Sequence, residues 1–354
     1  MQIAVSLFGF GNVGREFVRI LADRSGELAM RYGIEPQVVS IVASHGGVAA
    51  PNGMSASELL ERARGPRVLA EQPGFIGGDP EDLDIWLPAQ ASGVPMVLVD
   101  ATWSDLSTGE PGLSRLLGAA RRGCHLITLN KAPLVVDFDG LKRTAREYDV
   151  LLKFSGATAA GLPTIDTVKV SLAGAEILSI EGVLNSTTNY VLTAMSDEGL
   201  SYEDALRRAQ AMGLAETDPG RDVQGVDTAC KMLVLANAAM GAHKKLGDVR
   251  VSGIDNISRR DIAAWSVEGR TVKLVGRAVR TEDGVSIDVK PTPLPYRDFL
   301  AQVTGDAKGI RFRTDLFGEL VMMGGSGGLT AAAGSALRDL VNLGRELQLR
   351  RNAI

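Results

Sequence analysis

The hydrophobic pattern at the start of the chain predicts a strand, a tight turn and a helix. Residues 2–8 form a short apolar, β-branched run, and apolar residues recur at helical spacing between residues 15 and 22. The turn between them reads Gly9-Phe10-Gly11-Asn12-Val13-Gly14. A glycine-rich turn between a buried strand and an amphipathic helix is typical of the first βαβ unit of a dinucleotide-binding domain.

Further apolar runs predict that this unit is repeated. Strands are expected at residues 38–43, 96–99 and 125–129, and helices at 113–122 and 138–148. Alternating strands and helices predict a parallel sheet, which binds ligands at the carboxyl ends of its strands. Residues 46–92 are rich in glycine, proline and alanine and predict no clear element.

The pattern changes after about residue 150. Strand-like segments at 177–184 and 285–290 are interrupted by helical stretches around 202–212 and 226–240. A helix at 331–349 follows the glycine-rich run 324–328. The pattern predicts an α/β chain with an N-terminal Rossmann dinucleotide-binding domain and an α+β second domain, which is the candidate catalytic and dimerisation domain.

We place the dinucleotide-binding domain at residues 1–135 and the substrate and catalytic domain at 136–310. The C-terminal segment, 311–354, is expected to return to the first domain. A strand-rich second domain can pair across a two-fold axis, and we therefore expect a homodimer.

Composition excludes several classes of protein. The net charge is -4 without a basic stripe, so nucleic acid is not expected as a partner. The first residues lack the features of a signal peptide, and no apolar run is long enough to span a membrane. The two cysteines, Cys124 and Cys230, are too few for a disulfide framework. A cytoplasmic location is expected.

The glycine turn predicts a nicotinamide or related dinucleotide as cofactor. Gly9, Gly11 and Gly14 let the backbone approach a pyrophosphate, which the N–H groups of Asn12 and Val13 can bind at the helix N-terminus. After the second strand the sequence reads Ala43-Ser44-His45-Gly46, without a carboxylate to repel a 2′-phosphate. This favours NADP over NAD. The alternative is that an acid elsewhere binds the ribose of NAD.

The richest chemistry lies between residues 213 and 231. Carboxylates at Glu216, Asp218 and Asp222 precede a helix that carries Asp227 and Lys231 on one face, four residues apart. The helix is otherwise nearly all apolar or small, so it is expected to be buried, and a buried lysine needs a carboxylate or a charged ligand. The alternative is a structural ion pair on a surface helix.

At this point the chain resembles the homoserine dehydrogenases. The resemblance is carried by Glu216-x-Asp218-Pro219 followed by Asp222-x-x-Gly225-x-Asp227-x-Ala229-x-Lys231. Further landmarks in order are Asp100-x-Thr102, Asn130-Lys131, Gly161-Leu162-Pro163, Asn185-Ser186-Thr187-Thr188-Asn189-Tyr190, Ser252-Gly253-Ile254 and Lys273-Leu274. The resemblance thus covers nearly the whole chain.

The resemblance implies reversible reduction of L-aspartate 4-semialdehyde to L-homoserine by NAD(P)H, a step toward threonine and methionine. Lys231 would polarise the carbonyl and donate or relay the proton, with Asp227 orienting it. Lys131 would lie near the nicotinamide and the reacting oxygen. Glu216 and Asp222 would bind the substrate ammonium, and Thr187, in the loop after a strand, would contact the substrate. The implied cofactor contacts are Ser44, Thr102 and Lys131.

Two positions depart from the family pattern. Ser155 stands where the family usually has a glutamate of a monovalent-cation site, and Ser186 replaces the usual glycine of Asn-Gly-Thr-Thr-Asn. We therefore predict no metal site and consider a changed substrate. The histidines, His45, His125 and His243, have no metal-ligand spacing.

Three alternatives follow. Ser155 and Ser186 are compatible with a related oxidoreductase acting on another small hydroxy or oxo amino acid. A dinucleotide fold can also serve a non-catalytic NAD(P)-binding protein, although the joint presence of Lys131, Asp227 and Lys231 argues against this. Aspartate-semialdehyde dehydrogenase chemistry needs a reactive cysteine, whereas both cysteines lie in apolar surroundings typical of packing residues.

Overall fold

The computed structural model describes residues 1–89, 93–324 and 328–352. The chain divides into two compact units, Met1–Ala160 with Gly328–Ile354, and Gly161–Gly327. The boundaries predicted after residues 135 and 310 fall instead inside a helix, Lys131–Glu147, and a strand, Lys308–Thr314. Residues 325–327 of the predicted glycine-rich run lie outside the described residues.

The first unit contains a seven-stranded sheet in the order β4-β3-β2-β1-β5-β6-β7. Its strands are β1 (Gln2–Phe8), β2 (Glu35–Ala43), β3 (Gly46–Ala49), β4 (Ile76–Gly77), β5 (Met96–Asp100), β6 (His125–Thr128) and β7 (Leu152–Lys153). From β2 through β1 and β5 to β7 all neighbours are parallel, as predicted. The prediction of a parallel sheet does not extend to one edge, where β3 pairs antiparallel with β2 and with β4.

Helices cover the sheet of the first unit. They are α1 (Asn12–Asp23), α2 (Ser25–Tyr32), α3 (Ala56–Arg64), α4 (Leu83–Trp86), α5 (Gly112–Arg121) and α6 (Lys131–Glu147). Strand β1 is buried on both sides after its first residue, which explains its nearly unbroken apolar sequence. The chain continues from β1 to β2 on one side and later to β5 on the other, and such a switch point opens a ligand crevice at the carboxyl ends of these strands.

The second unit contains a six-stranded sheet in the order β13-β12-β8-β10-β11-β9. Its strands are β8 (Ile177–Val183), β9 (Arg250–Val251), β10 (Arg270–Thr281), β11 (Gly284–Pro295), β12 (Lys308–Thr314) and β13 (Gly318–Gly324). Its helices are α7 (Thr164–Asp166), α8 (Ser186–Glu198), α9 (Tyr202–Ala211), α10 (Gly220–Val223), α11 (Val226–Met240) and α12 (Arg259–Val267). Helices α8, α11 and α12 pack against β10. The predicted α/β class with an α+β second part is confirmed.

The last helix, α13 (Gly328–Asn352), belongs to the first unit and packs on α1. Its residues Ala333, Ala336, Leu340 and Leu343 are fully buried in the core of that unit. A methyl group at Gly344 would come within 2.8 Å of an Ile34 side-chain carbon, so this helix packs closely. The C-terminal residues therefore complete the hydrophobic core that supports β1.

Among the helices of the described residues, none combines the length and the apolar character needed to cross a membrane. The expected cytoplasmic location stays a prediction.

Candidate active site

The glycine turn after β1 has the geometry that a pyrophosphate needs. A Cβ atom at Gly14 would lie 2.0 Å from the Gly9 carbonyl oxygen, and one at Gly9, whose φ is +95°, would lie 2.6 Å from the Ala101 carbonyl carbon. Gly11 differs, because a Cβ atom there would meet no atom within 4 Å. Two glycines therefore close the turn, and the third leaves free space beside the backbone.

The N-terminus of α1 opens at this turn. Gly11 is its N-cap residue and offers no side chain to the first N–H groups, which belong to Asn12 and Val13. Uncapped N–H groups together with the helix dipole attract an anion. These residues fit the diphosphate of a dinucleotide.

A cavity of about 610 Å³ lies at the carboxyl ends of β1, β2 and β5. Of the predicted cofactor residues, Gly9, Gly11, Ser44 and Thr102 line it. Three basic residues, His45, Arg67 and Arg115, line it as well, and its lining contains one carboxylate among the described residues, Glu81. Arg67 is exposed, and sequence reasoning missed it because it comes from the unreadable stretch after β3.

The Glu81 carboxylate is already paired. The side chain of Arg115, which is 3% exposed, forms an ion pair with Glu81 and reaches Asp100 at 3.4 Å. An acid that is neutralised in this way has little remaining capacity to repel a phosphate. The cavity is therefore basic beside the end of β2.

Asp100 positions Thr102, which lines the cavity. It is fully buried at the end of β5 and accepts hydrogen bonds from the backbone N–H of Thr102 at 3.1 Å and from its hydroxyl at 2.5 Å. Burial raises the pKa of Asp100, and the nearby Arg115 opposes this shift. Asp100 thus orients the side chain and the backbone N–H of Thr102.

Lys131 is the first residue of α6 and is half-buried. The preceding Asn130 caps the helix by accepting a hydrogen bond from the Ala132 N–H at 3.1 Å. Asn130 also donates to the Ser104 hydroxyl at 2.6 Å, which attaches the cap to the chain beyond β5. Lys131 is therefore held at a defined position in the first unit, although it does not line the cavity.

The second unit brings Asp227 and Lys231 together on α11. Lys231 Nζ lies 2.5 Å from Asp227 Oδ2 and 2.9 Å from the Leu184 carbonyl oxygen, just after β8. The side chain of Lys231 is 14% exposed and that of Asp227 is 12% exposed, on a helix whose other residues are mostly buried. The prediction of a buried helix with a carboxylate partner for Lys231 is confirmed, and the surface ion pair is excluded.

Asn185 adds Asp222 to this pair. Its side-chain amide donates to Asp222 Oδ1 at 2.7 Å and to Asp227 Oδ2 at 2.9 Å. Sequence reasoning noted Asn185 only as part of a motif. Its position two residues before Thr187, a predicted substrate residue, is the sequence signal that could have identified it.

Thr187 and Glu216 are placed differently from expectation. Thr187 lies in the first turn of α8, so its assignment to a loop is wrong; the Asn185 cap begins the helix at residue 186. The Thr187 hydroxyl donates to the Leu214 carbonyl oxygen at 2.7 Å, which ties this turn to the segment that carries Glu216. The exposed Glu216 carboxylate makes no hydrogen bond or ion pair with the described residues.

A buried lysine lies nearby in the second unit. Lys273 on β10 is 1% exposed and donates to Asn189 Oδ1 at 3.1 Å and to the Thr193 hydroxyl at 3.3 Å, both on α8. Burial lowers its pKa to about 8, while the charge of Asp197 acts in the opposite direction. Lys273 connects β10 to the helix that Asn185 caps.

The two departures from the family pattern have different surroundings. The Ser155 hydroxyl donates to Asp339 Oδ1 at 2.6 Å, and its backbone N–H donates to Oδ2 at 2.8 Å, so Ser155 fastens α13 within the first unit. The Ser186 hydroxyl oxygen is buried without a hydrogen-bond partner among the described residues.

No group of three or more histidine, cysteine or acidic side chains in the described ranges could hold a metal ion.

Neither cysteine is suited to nucleophilic chemistry. Cys124 and Cys230 are both buried. Burial raises the pKa of the Cys124 thiol to about 12, which disfavours the reactive thiolate. Cys230 is inside α11 and is completely covered. Both therefore serve as packing residues, as predicted.

Comparison with known proteins adds independent information. A family model described as homoserine dehydrogenase matches residues 163–341. A homoserine dehydrogenase from Methanocaldococcus jannaschii is 34% identical over 345 residues, which is 96% of this chain and 98% of that protein. An NAD(+)-dependent homoserine dehydrogenase from Pseudomonas canavaninivorans is 32% identical over 344 residues, 97% of this chain and 96% of that one.

Solved structures agree with the sequence comparison. The crystal structure of a putative homoserine dehydrogenase from Archaeoglobus fulgidus matches with a TM-score of 0.83 and 28% identity, covering 96% of this chain and 99% of that chain. A homoserine dehydrogenase from Thiobacillus denitrificans matches with a TM-score of 0.82 and 26% identity, covering 99% of this chain and 74% of that chain.

Proposed function

The chain belongs to the homoserine dehydrogenase family, an oxidoreductase family, and from this premise we propose how its residues share the reversible reduction of L-aspartate 4-semialdehyde to L-homoserine. The observation that carries the proposal is the buried Asp227–Lys231 pair beside Asp222. The alternative of another hydroxy or oxo amino acid is not favoured, because the similar proteins named homoserine dehydrogenase span nearly the whole chain.

The reaction needs a hydride, a proton and a rigid grip on the substrate. A nicotinamide dinucleotide, held by the glycine turn, would supply the hydride for the aldehyde carbon, and the aldehyde oxygen would then need a proton. In the proposed mechanism the Lys231 ammonium polarises that oxygen and then donates the proton, which yields the alcohol. Asp227 holds the ammonium in place through their ion pair.

Substrate binding uses the remaining acids. Asp222 and Glu216 are proposed to bind the substrate ammonium, since carboxylates are its natural partners. The hydroxyl proton of Thr187 is engaged by Leu214, so its proposed contact uses the backbone N–H or the hydroxyl lone pairs. Lys131, fixed at the start of α6, is proposed to act with the nicotinamide part of the cofactor.

NADP is the proposed preferred cofactor. Ser44 and His45 follow β2 without an acid, Arg67 lines the same cavity, and Glu81 is neutralised by Arg115. A 2′-phosphate would find the Arg67 guanidinium and the Ser44 hydroxyl there, whereas the ribose diol of NAD would find no unpaired carboxylate among the described lining residues. The related enzyme from Pseudomonas is named as NAD(+)-dependent, so the preference has to be measured.

A second copy of the chain is the proposed partner. A row of alternating charge crosses the sheet of the second unit at Arg311, Glu181, Arg277 and Asp288, which are neighbours in register. When two copies face each other across a two-fold axis perpendicular to this row, every cation lies opposite an anion. Light scattering after size exclusion should give a dimer mass, and Arg277→Glu should weaken the dimer; a monomeric wild type would contradict the proposal.

Nicotinamide absorbance with purified protein and L-homoserine tests the function directly. Oxidation of homoserine releases a proton, so an alkaline buffer favours the measured direction. NAD and NADP should be offered separately, with other hydroxy amino acids as controls. We expect that the dinucleotide is reduced only when homoserine is present, and that NADP is reduced faster than NAD. Turnover confined to another hydroxy amino acid would overturn the proposed substrate, and equal use of both dinucleotides would overturn the cofactor preference.

A further inference from the structure

The side chain of Asn185 joins the end of β8, the start of α8 and the carboxylates around α11. Its Nδ2 donates to Asp222 Oδ1 at 2.7 Å and to Asp227 Oδ2 at 2.9 Å. A primary amide has two N–H donors, so this group is fully used. The residue itself is 5% exposed and therefore acts through its neighbours.

The other end of the amide is equally committed. Asn185 Oδ1 accepts a hydrogen bond from the Thr188 N–H at 2.9 Å, which caps α8. A flipped amide would present its oxygen to both carboxylates and its NH₂ group to the helix N–H. Both contacts would be repulsive, so the cap determines which end of the amide faces the acids.

Asp222 and Asp227 would otherwise repel each other, because both approach the same nitrogen. The two N–H dipoles of Asn185 offset this repulsion. The Lys231 ammonium, which pairs with Asp227, offsets it as well. The backbone takes part too, since the adjacent Leu184 carbonyl oxygen accepts from Lys231 Nζ at 2.9 Å. One dipeptide thus determines the positions of two acids and one lysine.

We propose that Asn185 is a positioning residue that sets the separation of Asp222 from the Asp227–Lys231 pair. Asp222 is thereby kept beside the catalytic pair with an oxygen available for the substrate ammonium. This inference rests on the proposed function, since it deepens the roles given to Asp222 and Lys231. It predicts that loss of the two N–H donors impairs substrate binding even when α8 remains capped.

Two substitutions separate positioning from capping. Asn185→Ser retains an oxygen that can cap α8 but removes both donors, and Asn185→Asp retains the cap while adding a third negative charge. Asn237→Ser is the matched control, because Asn237 is another buried asparagine of the second unit, and its side chain bonds to the backbone of Lys244. All three proteins should be compared with wild type in melting temperature, kcat and both KM values.

The expected result for Asn185→Ser is a KM for homoserine raised by about tenfold to a hundredfold. The KM for the dinucleotide should stay within about twofold, because its proposed site lies in the other unit. Asn185→Asp should be impaired further, and its acidic limb of activity should move to higher pH because like charges raise carboxyl pKa values. Near-normal kinetics in folded Asn185→Ser, or equal losses in Asn237→Ser, would overturn the proposal.

A readout that is independent of turnover separates the positioning role of Asn185 from the proposed function. Carboxyl NMR titration, with signals assigned through Asp222→Asn and Asp227→Asn, should show a higher pKa for one of these acids in Asn185→Ser than in wild type. Unchanged titrations would overturn the positioning role even if homoserine is the substrate. Changed titrations in a protein that does not oxidise homoserine would support the role of Asn185 and reject the proposed function.

Discussion

Lys231 Nζ lies 2.5 Å from Asp227 Oδ2, one helical turn earlier on the buried helix α11. The same ammonium also donates to the Leu184 carbonyl oxygen, so two acceptors from different elements hold it. A cation constrained in this way loses little conformational freedom when it acts on a substrate.

Replacing Lys231 with alanine should lower kcat for homoserine oxidation by about 10²–10⁴-fold, because the proton donor and the polarising charge are lost. Dinucleotide affinity, measured by fluorescence titration, should remain unchanged. Lys142→Ala, at an exposed position of α6, is the control and should behave as wild type. Substantial turnover by the Lys231→Ala protein would remove the lysine from the mechanism.

The glycine turn offers a matched pair of substitutions. Gly11→Ala places a methyl group in open space, so the protein should fold, but its dinucleotide Kd should rise by about tenfold or more because the methyl obstructs the pyrophosphate. Gly14→Ala meets the Gly9 carbonyl oxygen and should lower the free energy of unfolding by about 1–3 kcal/mol.

Calorimetric binding and thermal melts distinguish these two effects. If Gly11→Ala binds the dinucleotide as tightly as wild type, the pyrophosphate does not approach the backbone at this turn.

Arg67 is expected to select NADP. Its replacement by alanine should raise the KM for NADP by about tenfold, since a charged hydrogen bond to phosphate is lost, and should change the KM for NAD by less than about twofold. Arg121→Ala removes an exposed arginine outside the cavity lining and serves as the control. Equal effects of Arg67→Ala on both dinucleotides would indicate that Arg67 does not contact a 2′-phosphate.

His125 should make the protein sensitive to acid. Burial lowers its pKa to about 4 from 6.5, so between these pH values the unfolded chain binds more protons than the folded one. The free energy of unfolding should therefore fall as pH decreases from 6.5 to 4, by about 3 kcal/mol from this residue. Above pH 6.5 the histidine is neutral in both states and adds no pH dependence.

Chemical denaturation across this pH range measures the effect. In the wild type the Leu151 N–H donates a hydrogen bond to His125 Nδ1 at 3.0 Å, and the side-chain oxygen of an asparagine can accept the same bond. The free energy of unfolding of His125→Asn should therefore depend less steeply on pH. Identical slopes for the two proteins would show that His125 does not titrate between the two states as expected.

Local patterns were sufficient for much of the fold. The glycine turn, the buried strands and the apolar helix α11 depend on close neighbours in sequence, and the structure has them where the periodicity predicts. Strands β3 and β4, which lie within residues 46–92, could not be identified from the sequence because they are only four and two residues long and are stabilised by antiparallel pairing to β2 and to each other.

The sequence by itself determined the family motif, the dinucleotide turn and the Asp227–Lys231 pair, because two residues four positions apart on one helix are neighbours in any fold that keeps the helix. Only the tertiary structure decided that Asn185, more than 30 residues earlier, bonds to both Asp222 and Asp227. It also decided that Ser155 holds Asp339 of α13, and that Arg67 lines the cavity beside Ser44. These contacts join distant segments, and no local periodicity encodes which distant side chains will meet once the core is packed.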